Sequence, residues 1–225
     1  MPRTIREQTV AELGGRGSVL ARQRRDHAEM DRLMDRYDTV TDPGERDEVL
    51  RQLVRLVFGH AFAEETVLWP AVRRSVPDGE ALTARVEEEH QEINRLTSEI
   101  ERLAPGDEAR EERVRQVFAL IRQDIRDEED TLLPRLQDAL DAPRLRRLGT
   151  AWESVRRTAP THPHPAVPRR PPGNALLGVP LSGYDRFRDV LGAGAGTATT
   201  GRKAGALAAL LAVVAAAAAV ARRRR

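Results

Sequence analysis

The sequence predicts an all-α fold: an up-down-up-down four-helix bundle, followed by a proline-rich linker and a single apolar, alanine-rich helix. Four long stretches carry apolar residues every three or four positions, which is the periodicity of a helix. Short breaks rich in Pro, Gly and Asp separate these stretches, so consecutive helices should run antiparallel. No stretch alternates between apolar and polar residues for long, and no sheet is expected.

The helices follow one another with short connections. We predict them at about residues 18–40, 45–75, 80–103 and 108–140. Pro70 and Pro134 fall near the ends of the second and fourth helices, where each should kink its helix. A shorter fifth helix, at about residues 143–157, is expected to cap the bundle.

Composition divides the chain into four parts. Residues 1–17 are a polar N-terminal extension without the apolar segment of a secretory signal. Residues 18–158 are the bundle with its capping helix. Residues 159–203 are rich in Pro, then in Gly, Ala and Thr, as is typical of a linker, and they contain His162 and His164.

Residues 204–221 contain no polar side chain and are flanked by arginines. Eighteen helical residues span roughly 27 Å, close to the ~30 Å hydrocarbon core of a bilayer. We predict a transmembrane helix here, which makes the protein membrane-associated with its bundle in the cytoplasm. The alternative is a soluble helix, since eleven of the eighteen residues are alanine, which drives insertion only weakly.

Charge and cysteine content exclude several classes of protein. The chain has no cysteine, which excludes disulfides, thiolate metal sites and thiol catalysis. Residues 160–225 carry ten basic and two acidic residues, whereas the first 159 carry 27 basic and 33 acidic residues. A nucleic-acid-binding domain would carry its basic face on the folded part, so no nucleic-acid partner is expected.

A repeated motif lies in the second and fourth helices. His60 and Glu64 are four residues apart and therefore share one helix face, and Asp124 and Glu128 have the same spacing. Both glutamates open the pattern Glu-Glu-x-x-Leu-x-Pro. Because the two copies align without a gap, the bundle is predicted to consist of two similar helical hairpins.

The first and third helices contribute one histidine each, and each histidine follows an acidic residue. Six residues from four helices are thus candidate metal ligands: His27, His60, Glu64, His90, Asp124 and Glu128. Imidazole and carboxylate together suit iron, manganese or zinc, and acids at core-facing positions are costly unless they are paired or bound to metal. Glu65 and Glu129 are either exposed acids or partners that support the ligands from behind.

These motifs resemble the hemerythrin-like cation-binding domain over about residues 18–140. The resemblance implies a non-heme di-iron centre with two irons per chain, and Glu64 and Glu128 as bridging carboxylates. It also implies a small diatomic molecule or peroxide as the ligand, in a protein that binds or senses O2, NO, peroxide or iron. The chain departs from the family pattern at Asp124, where the family has His, and at Asn94, where oxygen-carrying members have a second His.

Three functions follow from these residues. The first is a metal-binding hemerythrin-like protein held at a membrane. The second is a metal-free helical interaction module tethered to the membrane, which Asp124 favours because an imidazole is missing there. The third, an enzyme that turns over peroxide or oxygen, ranks lowest, since no motif for a substrate pocket is visible.

Overall fold

The computed structural model describes residues 3–157 and residue 159, and every regular element in this part of the chain is helical. The expectation of an all-helical fold is therefore confirmed for these residues. A 3-10 turn, Ile5–Glu7, comes first. The α-helices are α1 (Val19–Thr39), α2 (Pro43–Ala63), α3 (Trp69–Ser75), α4 (Gly79–Ile100), α5 (Glu108–Asp127), α6 (Leu133–Ala139) and α7 (Ala142–Arg156).

Polar residues in the connections fix where the helices begin. The side chains of Ser18, Asp42, Asp107 and Asp141 each accept a hydrogen bond from a backbone N–H in the first turn of the helix that follows. Such caps satisfy donors that have no partner within the helix. These four capping residues therefore define where α1, α2, α5 and α7 begin.

The four long helical rods are α1, α2 with α3, α4, and α5 with α6. Two π-helical turns interrupt the second and the fourth rod. Glu64–Leu68 joins α2 to α3, and Glu128–Leu132 joins α5 to α6. In each turn, a backbone N–H donates a hydrogen bond to the carbonyl five residues earlier. In the second rod, the N–H of Trp69 donates to the carbonyl of Glu64, and in the fourth rod the N–H of Leu133 donates to that of Glu128. Pro70 and Pro134 follow the two π turns and lack the N–H that would donate to the preceding turn. The kinks predicted at these prolines therefore appear as π-helical turns.

The core of the described residues consists of two apolar clusters. One cluster includes Met30 of α1, Val57 of α2 and Ile93 of α4. The other includes Leu20 of α1 and Leu68 of the first π turn. Along the first two rods, buried polar residues such as Asp26, His27 and His60 lie between the members of the two clusters. The fold therefore places a polar band in the middle of an apolar interior.

Helix α7 covers the start of α1. Gly149 of α7 lies so close to α1 that a Cβ atom there would collide with the Gly17 carbonyl oxygen and lie 2.8 Å from the Val19 nitrogen. Three residues further on, the fully buried Trp152 ring meets the His60 ring edge to face, with 5.5 Å between their centroids. An ion pair of 2.9 Å between Arg22 and Glu153 joins the two helices at the surface.

Within residues 3–157 and 159, no helix combines the length and the apolar character that crossing a bilayer requires. The segment 204–221, for which the sequence predicts a transmembrane helix, lies outside the described residues. So does the predicted linker beyond residue 159, with His162 and His164.

Candidate metal centre

The structure brings all six sequence-predicted ligands into one buried region. Helices α1, α2, α4 and α5 supply His27, His60, His90 and Asp124, and the two π turns supply Glu64 and Glu128. None of the six is more than 9 % exposed. Two overlapping sets have ligand atoms within 4.8 Å of one another. The first set is His27, His60, Glu64 and Glu128, and the second is His90, Asp124 and Glu128.

The Nε2 atoms of the three histidines face the centre. The Nε2 atoms of His27 and His60 are 3.1 Å apart. Glu64 reaches in two directions, since its Oε1 lies 3.0 Å from His60 Nε2 and its Oε2 lies 3.6 Å from His90 Nε2. Glu128 Oε2 lies 3.2 Å from His27 Nε2. The two glutamates therefore stand between the two sets of donors.

An acidic residue stands behind each of two histidines at hydrogen-bond distance. His27 Nδ1 is 3.0 Å from Glu129 Oε1, and His90 Nδ1 is 3.0 Å from Glu65 Oε1. Both glutamates are buried, at 2 % and 1 % exposure. They are thus not exposed helix-face acids, and they hold the two rings with Nε2 turned inward.

The π turns set the directions in which the neighbouring glutamates point. A regular α-helix turns about 100° per residue. The wider turn inserts a residue and changes this spacing. As a result, Glu64 faces the centre while Glu65 reaches the outer nitrogen of His90, and Glu128 and Glu129 repeat the arrangement around His27.

Sequence reasoning missed two residues that act on the centre. Asp26 is buried, and its Oδ2 lies 3.7 Å from His60 Nδ1; the signal was its place directly before His27. Arg6 donates a hydrogen bond of 2.8 Å from Nε to Glu129 Oε2. Nothing in the sequence marks Arg6, because it lies in the N-terminal extension and meets Glu129 only through the fold.

Burial and mutual charge shift the pKa values of the centre. Burial lowers the pKa of His27, but the nearby carboxylates of Glu128 and Glu129 outweigh it and raise the pKa to about 10. Burial also lowers the pKa of His60, but the negative charge of Glu64 outweighs it and helps to raise the pKa to about 9. Burial, together with the charges of Glu64 and Asp124, raises the pKa of Glu128 to about 8. Protons bound to His27, His60 and Glu128 thus offset part of the negative charge of the clustered carboxylates.

The donor atoms fit a divalent cation. Among the described residues, both carboxylate oxygens of Glu64, both of Glu128 and Oδ1 of Asp124 are buried without a hydrogen bond of acceptable geometry. Unpartnered buried oxygens are costly, and a cation relieves that cost. Imidazole nitrogen with carboxylate oxygen is a donor set that iron, manganese and zinc accept.

A surface cleft approaches the centre from one side. Its volume is about 960 Å³, and Arg6, His27 and Glu129 are among its lining residues. His27 borders this cleft, but its side chain is shielded from bulk water because the residue is only 2 % exposed.

The amino-acid sequence matches a known protein family and two known proteins. The family described as the hemerythrin HHE cation-binding domain matches residues 18–136, just over half of the chain. A DNA nickase of Nostoc sp. (strain PCC 7120) is 28 % identical over 133 residues, which are 59 % of this chain and 37 % of the nickase. The chain thus spans well under half the length of that relative.

A second relative matches over more of its length. An uncharacterized hemerythrin-like protein of Schizosaccharomyces pombe is 21 % identical over 164 residues, covering 71 % of this chain and 81 % of the yeast protein. No solved structure shows a significant match.

Proposed function

Because this chain belongs to the hemerythrin HHE cation-binding domain family, we propose that it is a non-heme metal-binding protein that holds two iron ions. The observation that carries the proposal is the convergence of three imidazoles and three carboxylates. Among the described residues, five of the six carboxylate oxygens are buried without a hydrogen bond. For the four long rods that supply them, we propose the up-down-up-down arrangement.

The two sets of donors support a division of the candidate ligands between two ions. His27 and His60 would hold one ion, and His90 and Asp124 the other. Glu64 and Glu128 would be shared, since Glu64 faces imidazoles of both sets and Glu128 belongs to both. Iron, when bound, supplies an open coordination position and a change of oxidation state for small oxidants.

The surroundings of the centre favour a small ligand. Hemerythrin-like domains commonly bind small diatomic molecules, and we propose that this protein binds or senses O2, NO or peroxide. The six candidate ligands are almost fully buried, and apolar clusters lie on both sides along the rods. Those clusters exclude bulk water, and only a small molecule reaches the centre without displacing a helix.

The proposal does not extend to nucleic-acid cleavage. The nickase of Nostoc carries that activity in its name, but this chain spans only 37 % of its length. The first 159 residues carry more acidic than basic residues, which disfavours contact with a phosphate backbone.

Elemental analysis tests the proposal directly. Full-length protein purified after growth with iron should contain about two irons per chain. The His60→Ala, His90→Ala double variant should lose most of this metal. As a matched control, the His162→Ala, His164→Ala double variant removes the two histidines outside the cluster and should keep it. A wild-type content below about half a metal per chain, or equal contents in both double variants, would contradict the proposal.

A metal-free interaction module is the second candidate, and Asp124 favours it. The repeat places Asp124 where the second rod has His60, so the fourth rod has lost an imidazole. Thermal melts separate the candidates, because a cation that binds only the folded state raises the melting temperature. A chelator should lower the melting temperature of the iron-loaded protein, and an unchanged melt would favour the metal-free module.

A further inference from the structure

We propose that the two halves of the centre differ in cation preference, so that manganese competes with other metals in one half only. The half formed by His27 and His60 favours an ion that prefers imidazole, such as zinc or iron. The half formed by His90 and Asp124, which also accepts iron, is the half that admits the harder ion manganese. This inference rests on the proposed function, and it goes further by assigning a cation class to each half.

The first half is rich in nitrogen. Its own donors are two imidazoles, with Nε2 atoms 3.1 Å apart. Glu64 and Glu128 each approach one of these nitrogens, at 3.0 and 3.2 Å. Because both glutamates also serve the other half, the two imidazoles are what distinguishes this half.

The second half is rich in oxygen. Its own donors are one imidazole, His90, and the Asp124 carboxylate, whose Oδ2 lies 3.6 Å from His90 Nε2. The other Asp124 oxygen is buried without a hydrogen bond among the described residues.

Asn94 offers a buried oxygen on the helix face that carries His90. It follows His90 by one helical turn and therefore shares its face of α4. Asn94 is 3 % exposed, and its Oδ1 is buried without a hydrogen-bond partner in the described part of the chain. A buried amide oxygen without a partner is costly, which a cation beside His90 would relieve.

Ligand chemistry turns this difference into selectivity. Imidazole suits zinc and iron, whereas carboxylate and carbonyl oxygens suit manganese. Any site binds manganese more weakly than zinc, so the prediction concerns relative preference. Replacing imidazole by carboxylate and amide oxygen reduces the advantage of zinc in the second half and leaves it open to manganese.

A titration of the metal-free, full-length protein tests the inference, with zinc chosen because it does not change oxidation state. Calorimetry should resolve two zinc-binding steps whose dissociation constants differ by about tenfold or more. Protein loaded with one equivalent of zinc should then retain manganese, read as loss of the paramagnetic resonance signal of free Mn²⁺. Two equal zinc steps, or no retained manganese, would overturn the inference. Absence of any zinc binding would contradict the proposed function itself.

Two variants and one control sharpen the result. Asp124→His should bring the second zinc step close to the first and reduce manganese retention, and Asn94→Ala should weaken manganese retention without changing the first zinc step. Asp127→His is the matched control, since Asp127 lies on the same helix, is 26 % exposed and pairs with Arg85 at 2.6 Å. Equal effects of the Asp124 and Asp127 variants would overturn the assignment. If Asp124→His does not fold, the wild-type and Asn94→Ala titrations still decide.

Discussion

Each inward-facing imidazole has an acid behind it, and the pairing differs from ring to ring. Glu129 and Glu65 approach the outer nitrogens of His27 and His90 at 3.0 Å, whereas Asp26 stays 3.7 Å from that of His60. A carboxylate behind a ring fixes its orientation and increases its basicity. His27 and His90 should therefore depend on their partners more than His60 does.

The acid behind His27 provides a test at this scale. Glu129→Gln keeps the shape of the side chain but removes its charge, and it should weaken zinc binding by about 10- to 100-fold. Calorimetric titration measures the change. Asp130→Asn is the control, because Asp130 is the next residue but is exposed. Equal affinities of both variants would show that the Glu129 charge does not support the site.

The titration of the metal-free centre gives a second test. The pKa values of His27 and His60, raised to about 10 and about 9, mean that their contribution to stability is full below the usual histidine value and is lost as pH rises through 9 to 10. The pKa of Glu128, raised to about 8, acts in the same direction, because the folded state holds a proton that ionisation at higher pH removes.

The melting temperature of chelator-treated protein should therefore fall between pH 7 and pH 10, by about 5 °C or more. Circular dichroism melts at the two pH values measure this change. The His27→Gln variant has lost one of the titrating groups and should show a smaller fall. A melting temperature that stays constant or rises over this interval would contradict the charge assignment.

Local spacing explains why the candidate ligands could be predicted. His60 and Glu64 share a face at four residues apart, and the gapless repeat extends the pattern to the fourth rod. The role of Arg6 could not be predicted in this way, and neither could the choice between exposed acids and supporting partners for Glu65 and Glu129. They depend on contacts between distant segments and on a local change in helix width, which periodicity does not encode.

At the scale of elements, the wide turns Glu64–Leu68 and Glu128–Leu132 organise the centre. Each wide turn inserts a residue and so changes the direction in which its two glutamates point, compared with a regular helix. The sequence placed prolines after both segments and therefore predicted a disturbance there, but proline removes a donor without specifying how the backbone responds. The helix ends were predicted more closely, because capping residues such as Ser18 and Asp107 are local signals.

The contact between α7 and α1 gives a test at the scale of elements. Gly149→Ala adds a methyl group where backbone atoms of Gly17 and Val19 leave no room. Although alanine favours a helix, the clash should lower the free energy of unfolding by about 1–3 kcal/mol. Urea denaturation measures the loss.

The matched control for this test is Gly17→Ala on the other side of the same contact. The nearest atom to a Cβ there is 3.9 Å away, on the Arg146 side chain, which is an ordinary contact. This variant should stay close to wild type. Equal losses in both variants would show that the close approach of α7 is not what limits the Gly149 position.

For the whole molecule, charge separates an acidic N-terminal part from a basic C-terminal part. The described residues contain the candidate centre and both apolar clusters. The apolar segment 204–221 lies outside the described residues, and its predicted role at a membrane is tested by changing that segment alone.

Deleting residues 202–225 should move the protein from the membrane fraction to the soluble fraction after centrifugation. Leu210→Arg should release part of it, since a charge at the centre of a span costs about 3 kcal/mol. Leu176→Arg lies outside the apolar segment and should leave the distribution unchanged. Full-length protein that is already in the soluble fraction would contradict the predicted anchor.

The hydrogen bond from Arg6 to Glu129 ties a segment upstream of the matched family domain to the ring of His27. A chain trimmed at its amino end would keep every donor atom of the centre, yet the electric field at that ring would change. Substitutions in the segment before α1 can thus change the affinity for one cation, while the helices that supply the ligands stay the same.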